Sequence, residues 1–149
     1  LAFANSRSRL RMMMLYQIAQ SNNGLVVGTG NKCEDFGVGF YTKYGDGGVD
    51  ISPIADLYKS EVYHVAEHLD IIKKIMDAPP TDGLWEDGRT DEQQLGYSYD
   101  DLERAMKADE SGKIVEDPHL IHIMEKFRTM RGRNKHKMCM PPVCKMEKK

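Results

Sequence analysis

The sequence is short of cysteine and of long apolar runs. Three cysteines, Cys33, Cys139 and Cys144, are an odd number in 149 residues and exclude a dense disulfide scaffold of the secreted kind. The longest uncharged stretch, Met12 to Asn31, is interrupted by Gln17, Gln20, Ser21, Asn22 and Asn23, so no membrane span is expected. No basic segment followed by an apolar one and a small-residue cleavage site is present, and a cytoplasmic setting is the expectation. Collagen-like, coiled-coil and low-complexity classes fall away for want of a G-X-Y period, a sustained heptad or a biased tract. The first residue is Leu1 rather than methionine, and we expect the C-terminal portion of a longer chain.

What is present is a globular balance: 40% hydrophobic residues, 30% charged, and a net charge of −2. The charge is unevenly spread. Residues 126–149 carry nine Lys/Arg against one acid, Glu147, while the preceding residues are strongly acidic. A basic tail on an acidic body suits an anionic partner or a merely solvated end. Nucleic acid is the poorer partner, because Phe127 is the tail's one aromatic for stacking and the acidic body repels a polyanion.

Local signals predict a helix over 7–22, with Leu10, Met13, Met14 and Ile18 at helical spacing and Asn23-Gly24 as its stop. Leu25-Val26-Val27 reads as a short buried strand ending at Gly28-Thr29-Gly30, the order of an α/β protein with sites at strand C-termini. Seven of thirteen glycines fall between Gly28 and Gly48, which predicts functional loop with one short helix. Helices follow over 59–69, near 71–76, from the Ser98 cap to about Lys107, and from Asp117-Pro118 through Leu120 to about Met130. Residues 81–97 read as loop. The ten methionines read as core filling.

Glycines after a strand let backbone N–H groups approach phosphate, although neither G-x-G-x-x-G nor G-x-x-x-x-G-K-[ST] occurs and an ordinary turn explains them equally. Thr29 and Glu34 lie just beyond the strand, where a hydroxyl can meet a phosphate and a carboxylate can hold Mg²⁺. Lys43, Asp46, Asp50 and Lys59 add alternating charge, which also fits plain surface. Of Arg7, Arg9 and Arg11, one is aimed at an anion and the others are solvated or paired. His136 with Cys139 and Cys144 lacks a second ligand pair for zinc, and His64 and His68 lack the Glu of H-E-x-x-H, so neither group is read as a metal site.

The segments RSRLRMMMLYQIA, GLVVGTGNKCED, GFYTKYGDGGVDISPIADLYKSEVY, APPTDGLW, TDEQQLGYSYDDLE and NKHKMCMPP, in this order, resemble the ammonia-dependent NAD synthetases. The resemblance covers nearly the whole chain and implies residues 1–149 as the C-terminal portion of a single NAD synthetase domain. The implied fold is α/β, adenine-nucleotide α-hydrolase-like, a parallel sheet with helices on both faces, here lacking its N-terminal part. The family's Ser-Gly-Gly-x-Asp-Ser loop is not in this sequence and is expected upstream of Leu1. The resemblance implies a homodimer and a two-step amidation. ATP adenylates the nicotinate carboxylate of deamido-NAD with release of pyrophosphate, and ammonia then displaces AMP. It further implies Arg9, Lys43, Asp50, His136 and Lys137 as deamido-NAD contacts, Thr29, Lys59 and Thr81 as ATP contacts with Lys59 and Thr81 catalytic, and Glu34 as the Mg²⁺ ligand. The alternative is a non-catalytic nucleotide-binding or dimerisation module on the same scaffold.

Overall fold

A computed structural model describes residues 1–112 and 114–146; Glu147, Lys148 and Lys149 of the basic tail lie outside the described residues. The elements, in order, are α1 (Ala2–Ser21), a π-helical turn (Lys32–Val38), α2 (Lys59–His68), α3 (Lys73–Met76), α4 (Asp91–Leu95), α5 (Tyr99–Ser111), α6 (Pro118–Asn134) and a 3₁₀ turn (Lys135–Lys137). No helix among them is long and apolar enough to cross a membrane.

The core is built by α5 and α6 closing on the π-helical turn. Leu102, Ala105 and Met106 of α5 and Ile123, Met124 and Phe127 of α6 recur at helical spacing and bury against Cys33 and Val38 of the turn. Both helices start where local chemistry says they must. Ser98 Oγ accepts from the Asp101 N–H, and the Asp117 carboxylate accepts from the His119 N–H, with Pro118 at the first helical position. Gly37 sits so close to α5 that a Cβ would meet Met106 Sδ at 2.9 Å.

Four sequence expectations are corrected. α1 begins five residues before the predicted start, and its apolar stripe is not core: Leu10, Met13, Met14 and Ile18 are each more than half exposed. Polar bonds to three loops hold α1 instead. Leu25-Val26-Val27 forms no strand. Val27 makes one isolated parallel bridge to Ile51, with the Gly28 N–H on Ile51 O at 2.7 Å, and the parallel sheet is not seen among the described residues. The 81–97 loop contains α4, whose start is a reciprocal cap: Thr90 Oγ1 accepts from the Gln93 N–H, and Gln93 Oε1 from the Thr90 N–H. The methionines divide; Met106 and Met124 are core, whereas Met13, Met14, Met140 and Met146 face solvent.

Candidate active site

A cleft of about 520 Å³ opens beside the Val27–Ile51 bridge. The segment after Val27 contributes Thr29, the π-helical turn Glu34 and Asp35, the first residue of α2 Lys59, and the loop before α4 Thr81 and Asp82. Thr29, Glu34, Lys59 and Thr81, scattered over more than fifty positions, therefore share one wall-to-wall space.

Glu34 and Lys59 form the charged centre. Lys59 Nζ lies 3.0 Å from Glu34 Oε1, with side-chain exposures of 18% and 15%. Glu34 stands at the start of the π-helical turn, where Asn31 Oδ1 accepts from the N–H groups of Cys33 and Glu34. Lys59 stands at the N-terminus of α2, whose orphan N–H groups are met by carboxylates: Glu61 accepts from the Tyr58 N–H and Glu103 from the Ser60 N–H.

Two residues outside the predicted set complete this centre. The Tyr99 hydroxyl donates to Glu34 Oε1 and lies 3.4 Å from Asp91 Oδ2, while Lys59 Nζ sits 4.6 Å from the centre of the Tyr99 ring. Burial, and next the Glu34 carboxylate, raises the Tyr99 pKa, which keeps the hydroxyl a donor. Asp91 is buried, its other oxygen, Oδ1, has no hydrogen-bond partner, and burial followed by the Glu34 charge raises its pKa. Cys33 is buried behind this group and its thiol is pushed up to about 11 by desolvation, so it is no thiolate nucleophile at neutral pH.

Asp35 lines the same cleft. Its carboxylate crowds Gly30, where a Cβ would come within 2.0 Å of Oδ2. Burial first, then the Glu34 and Asp46 carboxylates, push its pKa up to about 6. A raised carboxyl pKa means the folded state holds the proton more tightly. The stability this lends is present below about pH 4 and is lost as pH rises through 6. Asp35→Asn is therefore expected to raise the melting temperature of the substrate-free protein at pH 7.5, by the equivalent of at most about 3 kcal/mol, and to leave it unchanged near pH 4. Melting curves across that range check this; a difference constant with pH would refute it.

All but one of the other predicted residues gather around the segment after the π-helical turn. Arg9 Nε donates to Lys43 O at 3.3 Å, Lys43 Nζ to His136 O at 2.6 Å, and Lys137 Nζ to the carbonyls of Gly39 and Tyr41 at 2.9 and 2.7 Å. Lys137 lines a smaller cavity of about 160 Å³ that shares Phe40, Asp46, Asp82 and Leu84 with the main cleft. Asp50 joins neither group: it accepts from the Val26 N–H and the Tyr16 hydroxyl, tying the bridge to α1. Arg7 and Arg11, four apart on one face of α1, donate to the carbonyls of Leu84, Asp82 and Gly83 and so hold the loop that carries Thr81.

The NAD synthase family model matches residues 1–141. The NH(3)-dependent NAD(+) synthetase of Archaeoglobus fulgidus is 45% identical over 98% of this chain and 57% of its own length. A solved NMN synthetase from Francisella tularensis superposes with a TM-score of 0.81 at 36% identity, over 96% of this chain and 56% of that one. The NH3-dependent NAD synthetase of Campylobacter jejuni superposes with a TM-score of 0.68 at 27% identity, over 95% and 54%. The chain spans just over half the length of the curated relatives it matches. With its motifs in order and the family model aligned along nearly all of it, this chain belongs to the NAD synthase family.

Proposed function

We propose that the full-length protein converts deamido-NAD to NAD with ATP and ammonia, and that this chain supplies much of its active site. The observation that carries the reading is the half-buried Glu34–Lys59 pair, flanked by Thr29 and Thr81 in one cleft. A carboxylate is a poor electrophile. One of its oxygens attacks the α-phosphorus of ATP and displaces pyrophosphate; ammonia then attacks the acyl carbon, loses a proton, and AMP leaves. Lys59 offsets the charge that develops on the phosphates, and the hydroxyls of Thr29 and Thr81 bind the nucleotide. Lys43 and Lys137 with Arg9 and His136 give the second anionic substrate its seat, and Asp50, which stands apart from them beside Val26, is its remaining contact.

Glu34, with Asp91 beside it, fits Mg²⁺. Both offer oxygen alone, Asp91 Oδ1 is unpartnered, and no group of three or more His, Cys, Asp or Glu among the described residues could cage a metal without substrate. That suits an ion that takes one or two carboxylates plus phosphates and water, and when bound it would neutralise phosphate charge. Tyr99→Phe removes the hydroxyl shared by the two carboxylates. We expect the Mg²⁺ concentration for half-maximal rate to rise about tenfold, the worth of one charge-assisted hydrogen bond, with the melting temperature little changed. An unaltered Mg²⁺ dependence would remove Tyr99 from the site.

The finer architecture belongs to the same proposal: a parallel sheet with helices on both faces, begun here by the Val27–Ile51 bridge. So do homodimerisation, which the uncovered stripe of α1 supports, and a cytoplasmic setting, which the three free thiols support. The NMN synthetase likeness favours a second reading, in which the acceptor is the nicotinate mononucleotide. The test is product formation by the full-length protein with ATP, ammonia and either acceptor. Equimolar NAD, AMP and pyrophosphate from deamido-NAD carry the first reading; conversion of the mononucleotide alone would replace it with the second.

A further inference from the structure

The end of α6 fastens the loop between the two substrate sides through a row of side-chain bonds to backbone carbonyls. Arg131 Nη1 donates to Gly37 O at 2.8 Å and to Phe36 O. Asn134 Nδ2 donates to Val38 O at 2.8 Å, and Lys137 Nζ to the carbonyls of Gly39 and Tyr41. The donors are spaced by three, so they form one stripe along α6 and its 3₁₀ extension. The acceptors run nearly consecutively from Phe36 to Tyr41. Lys43 answers in the opposite direction, donating to His136 O.

The physical need is plain. The π-helical turn ends at Val38, and a helix end leaves carbonyls without intrahelical partners. A guanidinium there also meets the negative end of the turn's dipole. Gly39 makes the fit close: its φ is +66°, and a Cβ would stand 2.6 Å from Asn134 Cβ. The stripe therefore fixes how the segment after the turn, which carries Lys43, lies against the tail that carries His136 and Lys137. The Glu34 carbonyl accepts from the Gly39 and Phe40 N–H groups, but the Glu34 and Lys59 side chains that face the cleft are held separately, by each other, by Tyr99 and, through Ser60, by Glu103.

We propose that Arg131 and Asn134 are positioning residues for the acceptor dinucleotide: through the 36–41 backbone they set Lys43 and Lys137, the two ammonium groups given to its phosphates, and Asn134 does so from the wall of the Lys137 cavity. The inference rests on the functional reading above. Its consequence is selective. Loosening the stripe weakens the acceptor side and spares the ATP side.

The test uses the full-length protein with Asn134→Ala, Arg131→Met and Arg131→Lys. Expected for the first two are about tenfold weaker deamido-NAD binding by calorimetry, which is about 1.4 kcal/mol, an ATP KM within twofold of wild type, and amide exchange in residues 39–44 at least tenfold faster with α5 unchanged. Arg131→Lys, which keeps a cation at the turn's end, is expected to recover most of the affinity. Equal losses on the ATP and acceptor sides, or unchanged exchange in 39–44, would overturn the proposal. Failure of the wild-type protein to form NAD would overturn the functional reading instead, and the exchange measurement would then decide only whether the stripe orders residues 39–44.

Discussion

Lys59→Ala in the full-length protein is expected to lower kcat for NAD formation by roughly 10²- to 10³-fold, the loss that follows removal of one preorganised group at a developing charge. Lys59 Nζ is held on two sides, by Glu34 at 3.0 Å and by the face of Tyr99 at 4.6 Å. An ammonium in that position costs no reorganisation when charge moves onto a leaving pyrophosphate. Lys59→Arg keeps the charge but not the shape. A planar fork in place of a compact ammonium is expected to recover only part of the rate. The melting temperature should move by no more than a few degrees, because Glu34 retains the Tyr99 hydroxyl and the cleft admits water to it. Single-turnover kinetics separate the two steps. The loss belongs in formation of the acyl adenylate, and a variant that releases pyrophosphate at the wild-type rate would refute the role given to Lys59.

The residues that could be read in advance are those whose roles are set locally or by a motif. Asp117-Pro118 and Ser98-x-x-Asp101 mark helix starts because a side chain there satisfies N–H groups two or three positions on. Thr29, Glu34 and Lys59 stand out by their place after the Gly28-Thr29-Gly30 turn and beside its loop, Thr81 only through the motif resemblance, and the fold brings all four into one cleft. Asp50, which the same resemblance gives to deamido-NAD, also ties Val26 to α1, a structural bond that no spacing rule announces. The helical period of α1 was legible, but periodicity reports an apolar stripe and not what covers it. α4 was missed because its capping box, Thr90 with Gln93, opens a helix of five residues with hardly any apolar pattern. Tyr99 and Asp91 escape a sequence reading because Glu34, whose carboxylate shares the Tyr99 hydroxyl with Asp91, lies 65 and 57 positions away, beyond any local signal. Glu103 differs, since its oddity is visible in the sequence. Tyr99, Leu102 and Met106 define the buried stripe of α5, and Glu103 falls on that stripe, where a lone acid needs a partner.

That partner makes Glu103→Ala the largest expected loss of stability. Glu103 is 5% exposed, and its two oxygens accept from the Ser60 N–H at 2.7 Å and the Ser60 hydroxyl at 2.8 Å, with Lys107 Nζ at 3.5 Å. Truncation leaves an orphan N–H in the first turn of α2 and strips the favourable charge from the positive end of its dipole. Losing a buried charged acceptor of two hydrogen bonds is expected to cost about 3 kcal/mol, a fall in melting temperature of about 6–12 °C for a protein of this family's size. Lys59 is the residue before Ser60, so the damage reaches the cleft: ATP KM is expected to rise about tenfold while the acceptor KM stays within twofold. Glu103→Gln keeps one acceptor oxygen and should fall between wild type and Ala in both measurements. The ordering across the three proteins distinguishes anchoring from mere packing, because Gln and Glu occupy nearly the same volume. If Glu103→Gln melts and binds ATP as wild type does, the carboxylate charge is not what holds α2, and a neutral acceptor at position 103 suffices beside the Glu61 bond to the Tyr58 N–H.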